Sequence, residues 1–153
     1  MKASNLLVAI CSVAALSSGG CASMHPPSTA KNRVVIQVSD NDPARWNLAL
    51  NNARNLQSDL RAANVEIEIV AYGPGLSMVK AGSAVAPRID ESVLGGMNIV
   101  ACENTMAKQK VTKGEILPGV NYVGAGVVEI MRRQQQGLTF ALDRRQASRE
   151  LPP

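Results

Sequence analysis

Short apolar runs and amphipathic stretches alternate along most of the chain, as they do in domains built from strands and helices. The first run, residues 33–39 (RVVIQVS), is β-branched and continuous, which predicts a strand buried on both faces. Asp42 and Pro43 then suit the N-cap and the first turn of a helix that ends near Asn64. Apolar residues on this helix recur at steps of three and four, at Trp46, Ala49, Leu50, Ala53, Leu56, Leu60 and Ala63.

The second strand is predicted at residues 65–72 (VEIEIVAY), where apolar and acidic positions alternate. This alternation favours an edge strand or a half-exposed one. The GPG sequence that begins at Gly73 ends the strand, and short helical turns are predicted after it, the last at residues 87–94. Later in the chain, strands are predicted at 118–123 and 138–142, with a helix at 127–136 that a GAG turn introduces.

A third strand is predicted at residues 97–101 (MNIVA), and Cys102 follows it directly. Asn104 or Thr105 suits the N-cap of a short helix that runs to about Gln109. Cys102 would then lie just before a helix N-terminus, where backbone N–H groups favour a thiolate. The alternative is that Cys102 is simply a small buried apolar residue.

This order of strands and helices predicts a single α/β domain at residues 33–142, with a mostly parallel sheet of four or five strands and helices on both faces. The length of 153 residues suits one domain with its own core. The charged segment at 143–153 is expected to be frayed.

The first twenty residues have the pattern of a secretory signal peptide: Lys2, an apolar run at 6–16, and small residues at 17–20. The run is shorter than the roughly 20 residues that span a bilayer. The next residue is Cys21, and LSSGGC resembles a bacterial lipoprotein cleavage site, which implies a lipid anchor at Cys21 and sorting to the outer membrane. Ordinary cleavage just after Ala22 is the alternative. Either way the domain is expected in the periplasm, behind a flexible tether at 21–32.

Composition narrows the range of functions. The net charge is +4, but the basic residues are scattered and only 3% of residues are aromatic, which argues against nucleic-acid binding. The single histidine, His25, lies in the tether, so histidine-dependent catalysis and most zinc sites are not expected in the domain. The sequence therefore predicts no metal and no cofactor. Without the leader and Cys21, Cys102 has no cysteine to pair with, although exported proteins usually pair theirs.

Five segments in this order resemble the DsrE/DsrF-like family. They are VVIQVSD, RWNLALNNARNLQ, IEIVAYGPGL, NIVACENTM and PGVNYVGAGVVEIMRRQQQG, and the resemblance covers about residues 34–140. The resemblance implies a Rossmann-like or flavodoxin-like three-layer domain, commonly assembled as a homotrimer or homohexamer. The best understood members relay sulfur as a cysteine persulfide, and Cys102 follows a strand in the way that the relay cysteine does.

Two functions remain open from the sequence. In the first, Cys102 accepts sulfane sulfur as a persulfide, Gly73, Asn104 and Thr105 bind the substrate, and a partner protein with a thiol removes the sulfur. In the second, the chain is a non-catalytic oligomeric module that binds a small molecule or a protein at the periplasmic membrane face. Cys102 then only lines the pocket. A metal or redox sensor is weaker, because the domain offers too few soft ligands.

Overall fold

The computed structural model describes residues 32–141. The predicted signal peptide at 1–20, the lipidation site Cys21 and the predicted tail at 143–153 lie outside the described residues. The predicted tether also lies outside them except for its last residue, Asn32, which begins the first strand.

The described residues form a five-stranded parallel sheet. Its strands are β1 (Asn32–Val38), β2 (Val65–Ala71), β3 (Asn98–Cys102), β4 (Asn121–Val123) and β5 (Thr139–Ala141). Their spatial order is β4-β3-β2-β1-β5, and every neighbouring pair is parallel. The carboxyl ends of all five strands therefore share one edge. The predicted α/β class and mostly parallel sheet are confirmed.

Four α-helices connect the described strands: α1 (Pro43–Leu60), α2 (Ala86–Leu94), α3 (Glu103–Gln109) and α4 (Gly126–Gln135). Three 3-10 segments, Ala62–Asn64, Gly73–Val79 and Lys113–Glu115, fill the loops. As predicted, Asp42 caps α1, because its carboxylate accepts the backbone N–H of Ala44 at 2.8 Å. Within residues 32–141, no helix is both long and apolar enough to cross a membrane.

The sheet has two unequal apolar faces. Alternate side chains of the strands, such as Ile36, Ile69 and Ile99, pack against α1, α2 and α3 in the larger core. The intervening side chains Val35, Val70 and Val100 form a smaller cluster with Ile130 of α4 and with Leu138. Helices therefore lie on both faces, which gives the expected three layers, but among the helices of residues 32–141 only α4 covers one of these faces.

The predicted edge or half-exposed position of β2 is wrong, because β2 lies at the centre of the sheet between β1 and β3. Its acidic positions, which suggested solvent contact, are paired instead. Glu66 accepts a hydrogen bond from Arg33 at 2.9 Å, and Glu68, 1% exposed, is paired with Arg133 of α4. The acidic residues at alternate positions of β2 thus belong to an ion-pair cluster on the α4 side of the sheet. A solvent-exposed strand face would show the same alternation in the sequence.

Several element boundaries also differ from the prediction. The short helix after β3 begins at Glu103, so Cys102 itself is its N-cap residue instead of Asn104 or Thr105. β4 begins at Asn121 and not at residue 118, because a turn at Gly119, whose φ is +79°, precedes it.

Candidate functional site

Cys102 lies where β3 ends and α3 begins, at the carboxyl edge of the sheet. It pairs in register with Val123, the last residue of β4, which brings the start of α4 close to the sulfur. In open parallel sheets this edge is where ligands bind. The fold therefore places the only described cysteine between the N-termini of two helices.

Hydrogen-bond donors from both helices converge on the Cys102 sulfur. The backbone N–H of Gly126, the first residue of α4, donates to Sγ at 3.2 Å. On the α3 side, the backbone N–H groups of Asn104 and Thr105 and the Thr105 hydroxyl also bond to Cys102. The thiol itself is 3.9 Å from the Gly124 carbonyl oxygen, which it approaches as a weak donor.

These donors decide the ionisation of the thiol. Burial acts to raise the pKa of Cys102, but the hydrogen bonds from Thr105, Gly126 and Asn104 together outweigh it and hold the pKa below its ordinary value. A donor shell of this kind stabilises the thiolate, which is the nucleophilic form of cysteine. The arrangement therefore suits Cys102 to act as a nucleophile.

The three residues predicted as substrate ligands lie together beside Cys102. The Thr105 hydroxyl accepts the backbone N–H of Gly73 at 3.0 Å while it also bonds to the sulfur. Asn104 acts through its backbone N–H, which also bonds to the Gly124 carbonyl at 3.0 Å. Gly73 links the loop after β2 to α3, because its carbonyl accepts a hydrogen bond from Gln109 at 3.0 Å.

Tyr72 is a neighbour of this site that the sequence did not single out. It follows β2, and its pKa is raised by burial and by the nearby charges of Asp40 and Cys102, while a hydrogen bond with Ser39 opposes the rise. In the sequence, a tyrosine at the end of a strand cannot be told from an ordinary core residue. Only the spatial order of the strands, with β2 beside β3, brings it to the site.

Close contact with Tyr72 requires a glycine at position 126. A Cβ at this position would lie 2.9 Å from the Cβ and 3.1 Å from the Cγ of Tyr72. The glycine therefore lets α4 begin close to the sheet, where its N–H reaches the sulfur. Gly126 thus serves a close approach between the start of α4 and the residue that follows β2.

The sulfur is enclosed. Cys102 is 4% exposed, so little of its surface is open to a reagent. Among residues 32–141, no group of three or more histidine, cysteine or acidic side chains is placed to hold a metal ion.

A second feature lies near the start of α1. A cavity of about 460 Å³ is lined by Trp46 and by Ser77, Lys80 and Glu115 from the loops that follow β2 and α3. Its size falls within the range of small-molecule sites.

Comparison with known proteins relates this geometry to two solved structures. No protein-family model and no curated protein matches the chain. The structure of MTH1491 from Methanobacterium thermoautotrophicum, a protein of unknown function, is 34% identical to it, with a TM-score of 0.69 over 72% of this chain and 97% of that one. The ychN protein from E. coli is 12% identical, with a TM-score of 0.59 over 74% of this chain and 98% of that one, and shows the fold alone.

Proposed function

Because the chain belongs to the DsrE/TusD-like fold family together with MTH1491 and YchN, we propose that it handles sulfane sulfur through Cys102 as a persulfide carrier. The observation that carries the proposal is the convergence of donors from two helices and the Thr105 hydroxyl on one sulfur atom. Such a shell favours the anion in both the thiolate and the persulfide state.

The proposed reaction is thiol exchange on sulfur. The Cys102 thiolate attacks the outer sulfur of a persulfide donor, a new S–S bond forms at Sγ, and the donor leaves as a thiolate with the electron pair of the broken S–S bond. A thiolate of a partner protein then attacks the outer sulfur of the Cys102 persulfide. That sulfur moves to the partner, and Cys102 is released as a thiolate. No oxidant or reductant is consumed.

The test uses the full chain with Cys11→Ser and Cys21→Ser, so that Cys102 is its only thiol. We expect the rate of alkylation by iodoacetamide to rise with pH through a midpoint below about 8.5, the reference for a free cysteine. After exposure to glutathione persulfide, the intact mass should increase by one sulfur atom, and a reductant should remove it.

The matched control carries Cys102→Ser in the same background. It should fold normally by circular dichroism and gain no sulfur. If Cys102 is alkylated slowly at every pH and no sulfur is gained, the carrier proposal is wrong. Cys102 is then a packing residue.

A binding function is the second candidate, and the cavity beside Trp46 is the observation that favours it. In that case the chain is an oligomeric module that holds a small molecule or a protein. Replacing Cys102 by serine would then leave ligand affinity nearly unchanged, whereas Lys80→Ala, at the cavity wall, would lower it. The two substitutions therefore separate the candidates.

We also propose that the protein is exported to the periplasm and anchored to the outer membrane through a lipid on Cys21, as the N-terminal pattern predicts. Metabolic labelling with a radioactive fatty acid should mark the wild-type chain and not the Cys21→Ser variant. Absence of label from the wild type would contradict the lipid anchor.

A further inference from the structure

A second cavity, of about 480 Å³, lies between α4 and the half of the sheet formed by β2, β3 and β4. Its volume is within the range of small-molecule sites. Polar and charged side chains form most of its lining, among them Glu68, Asn98, Asn121, Glu129, Arg132 and Arg133. None of these residues belongs to the donor shell of Cys102.

Glu68 is the most buried charged group of this cavity. It is 1% exposed, and its Oε2 accepts hydrogen bonds from Asn98 at 2.7 Å and from Arg133. Asn121 in turn donates to the Asn98 side-chain oxygen at 2.8 Å, so the amides hold the carboxylate in place. The other oxygen, Oε1, is buried and has no hydrogen-bond partner. Buried polar atoms are rarely left in this state.

The charges around Glu68 are buried to different depths. Glu68 and Glu129 are 1% and 5% exposed, and both are paired with Arg133, whose side chain is 15% exposed. Arg132 also pairs with Glu129, but its side chain is 59% exposed and lies where solvent screens it. Beyond them, Glu66 and Arg33 pair with each other at 2.9 Å, and Glu66 lies 3.5 Å from Arg133.

We infer that this cavity binds a small organic cation, whose ammonium group donates a hydrogen bond to Oε1 of Glu68 and adds a positive charge beside Glu68 and Glu129, the two most buried charged groups of the lining. A buried carboxylate is stable when it is both paired and fully hydrogen-bonded, and the cation supplies the missing donor. Burial raises the pKa of Glu68, and the charge of Glu129 adds to this, although the pairing with Arg133 opposes it. A proton therefore competes with the cation for Glu68 more strongly as the pH falls.

The test is a titration of the isotope-labelled full chain with n-propylammonium chloride, followed through the side-chain amide signals of Asn98 and Asn121 in NMR spectra. We expect saturable shifts of these signals, and tighter binding at pH 7 than at pH 5, because the cation displaces the proton. Sodium chloride and 1-propanol at equal concentrations should not produce them. If propylammonium gives no saturable shift, or if 1-propanol gives the same one, the cavity holds only water and the inference is overturned.

Two variants locate the binding. Glu68→Gln removes the charge with little change of shape, and it should weaken propylammonium binding at pH 7 about tenfold or more. Arg132→Ala removes an exposed cation from the cavity lining, and it should tighten binding about twofold or more at low salt because repulsion is lost. Since Arg132 is exposed, this variant folds even if Glu68→Gln does not. Unchanged affinity in Arg132→Ala, or in a folded Glu68→Gln protein, would contradict the inference.

Discussion

At the scale of single residues, the ionisation of Cys102 is set by a competition between burial and hydrogen bonding. Burial disfavours the thiolate, and four donor groups around the sulfur favour it more strongly. Thr105 is central in this shell because its hydroxyl bonds to the sulfur and also accepts the Gly73 N–H. A single side chain thus connects the loop after β2 with the reactive atom.

Replacing Thr105 by valine should raise the pKa of Cys102, since the hydroxyl donor is lost while the size of the side chain is kept. A hydrogen bond to a charged group is worth about 1.5–3 kcal/mol, which corresponds to a rise of about one to two pKa units. We therefore expect alkylation at neutral pH to slow about tenfold or more. The measurement is the alkylation rate against pH, whose midpoint should move to higher pH. Thr105→Ser, which keeps the hydroxyl, is the control. Identical pH profiles for the valine and serine variants would show that the hydroxyl does not act on the sulfur.

The chemistry of these residues was only partly predictable from the sequence. Cys102 was found because an apolar run ends at it and no cysteine of the domain can pair with it. Asn104 and Thr105 lie within three residues of Cys102 in the chain, so a local pattern is enough to predict that they lie near it. Tyr72 and Gly126 come from distant segments, and their contact depends on the strand order β4-β3-β2, which the apolar pattern does not encode.

At the scale of elements, the start of α4 is fixed by close packing against the loop that follows β2. Gly126→Ala would place a methyl group 2.9 Å from the Cβ of Tyr72, so the helix start or the tyrosine must move. Overpacking of this kind costs about 1–3 kcal/mol. Urea unfolding should show that loss, and alkylation of Cys102 should slow because the Gly126 N–H is displaced.

Gly124→Ala is the matched control, because it lies two residues earlier and a Cβ there would meet nothing within 4 Å. Its free energy of unfolding should change by less than about 0.5 kcal/mol. Equal effects of the two substitutions would contradict the packing argument.

The position of β2 shows why element types were easier to predict than their arrangement. The period-2 pattern of residues 65–72 correctly indicated a strand. It also suggested exposure, since acidic residues in alternate positions are typical of a solvated face. The partners that make burial acceptable, Arg33 and Arg133, lie 33 and 65 or more residues away in the chain. Such long-range pairing is invisible to a local pattern.

The buried Glu68 of β2 should make the free energy of unfolding fall as pH rises. Its pKa is raised by burial, and the charge of Glu129 adds to the effect, although Arg133 and Asn98 oppose it. Above the ordinary glutamate pKa of about 4.3, the unfolded chain loses this proton first, so the native state holds more protons and the free energy of unfolding falls as pH rises. Glu68→Gln lacks this titration. Urea unfolding from pH 4 to pH 7 should therefore show the wild type losing stability relative to the variant, and a constant difference would contradict the raised pKa.

At the scale of the whole molecule, the two faces of the sheet are covered unequally, and we propose that the helix on the lightly covered face mediates self-association. α4 is the one helix on that side in the described part of the chain, and it carries three exposed apolar residues: Val127, Val128 and Met131, which are 62%, 55% and 51% exposed. They lie at neighbouring positions of the helix surface. Contiguous apolar surface of this kind is typical of an interface. It agrees with the homotrimer or homohexamer that the family resemblance implies, and we propose α4 as the contact.

If α4 is the subunit contact, the double substitution of Val127→Glu and Met131→Lys should make the protein monomeric. The two new side chains are four residues apart with the acidic one first, an arrangement that supports the helix, so loss of assembly would not reflect loss of α4. Light scattering during size-exclusion chromatography gives the mass. Leu94→Glu is the control, because Leu94 is 88% exposed at the end of α2, on the other side of the sheet. The mass of this variant should equal that of the wild type. If the wild type is already monomeric, or if the double variant keeps its mass, α4 is not the subunit contact.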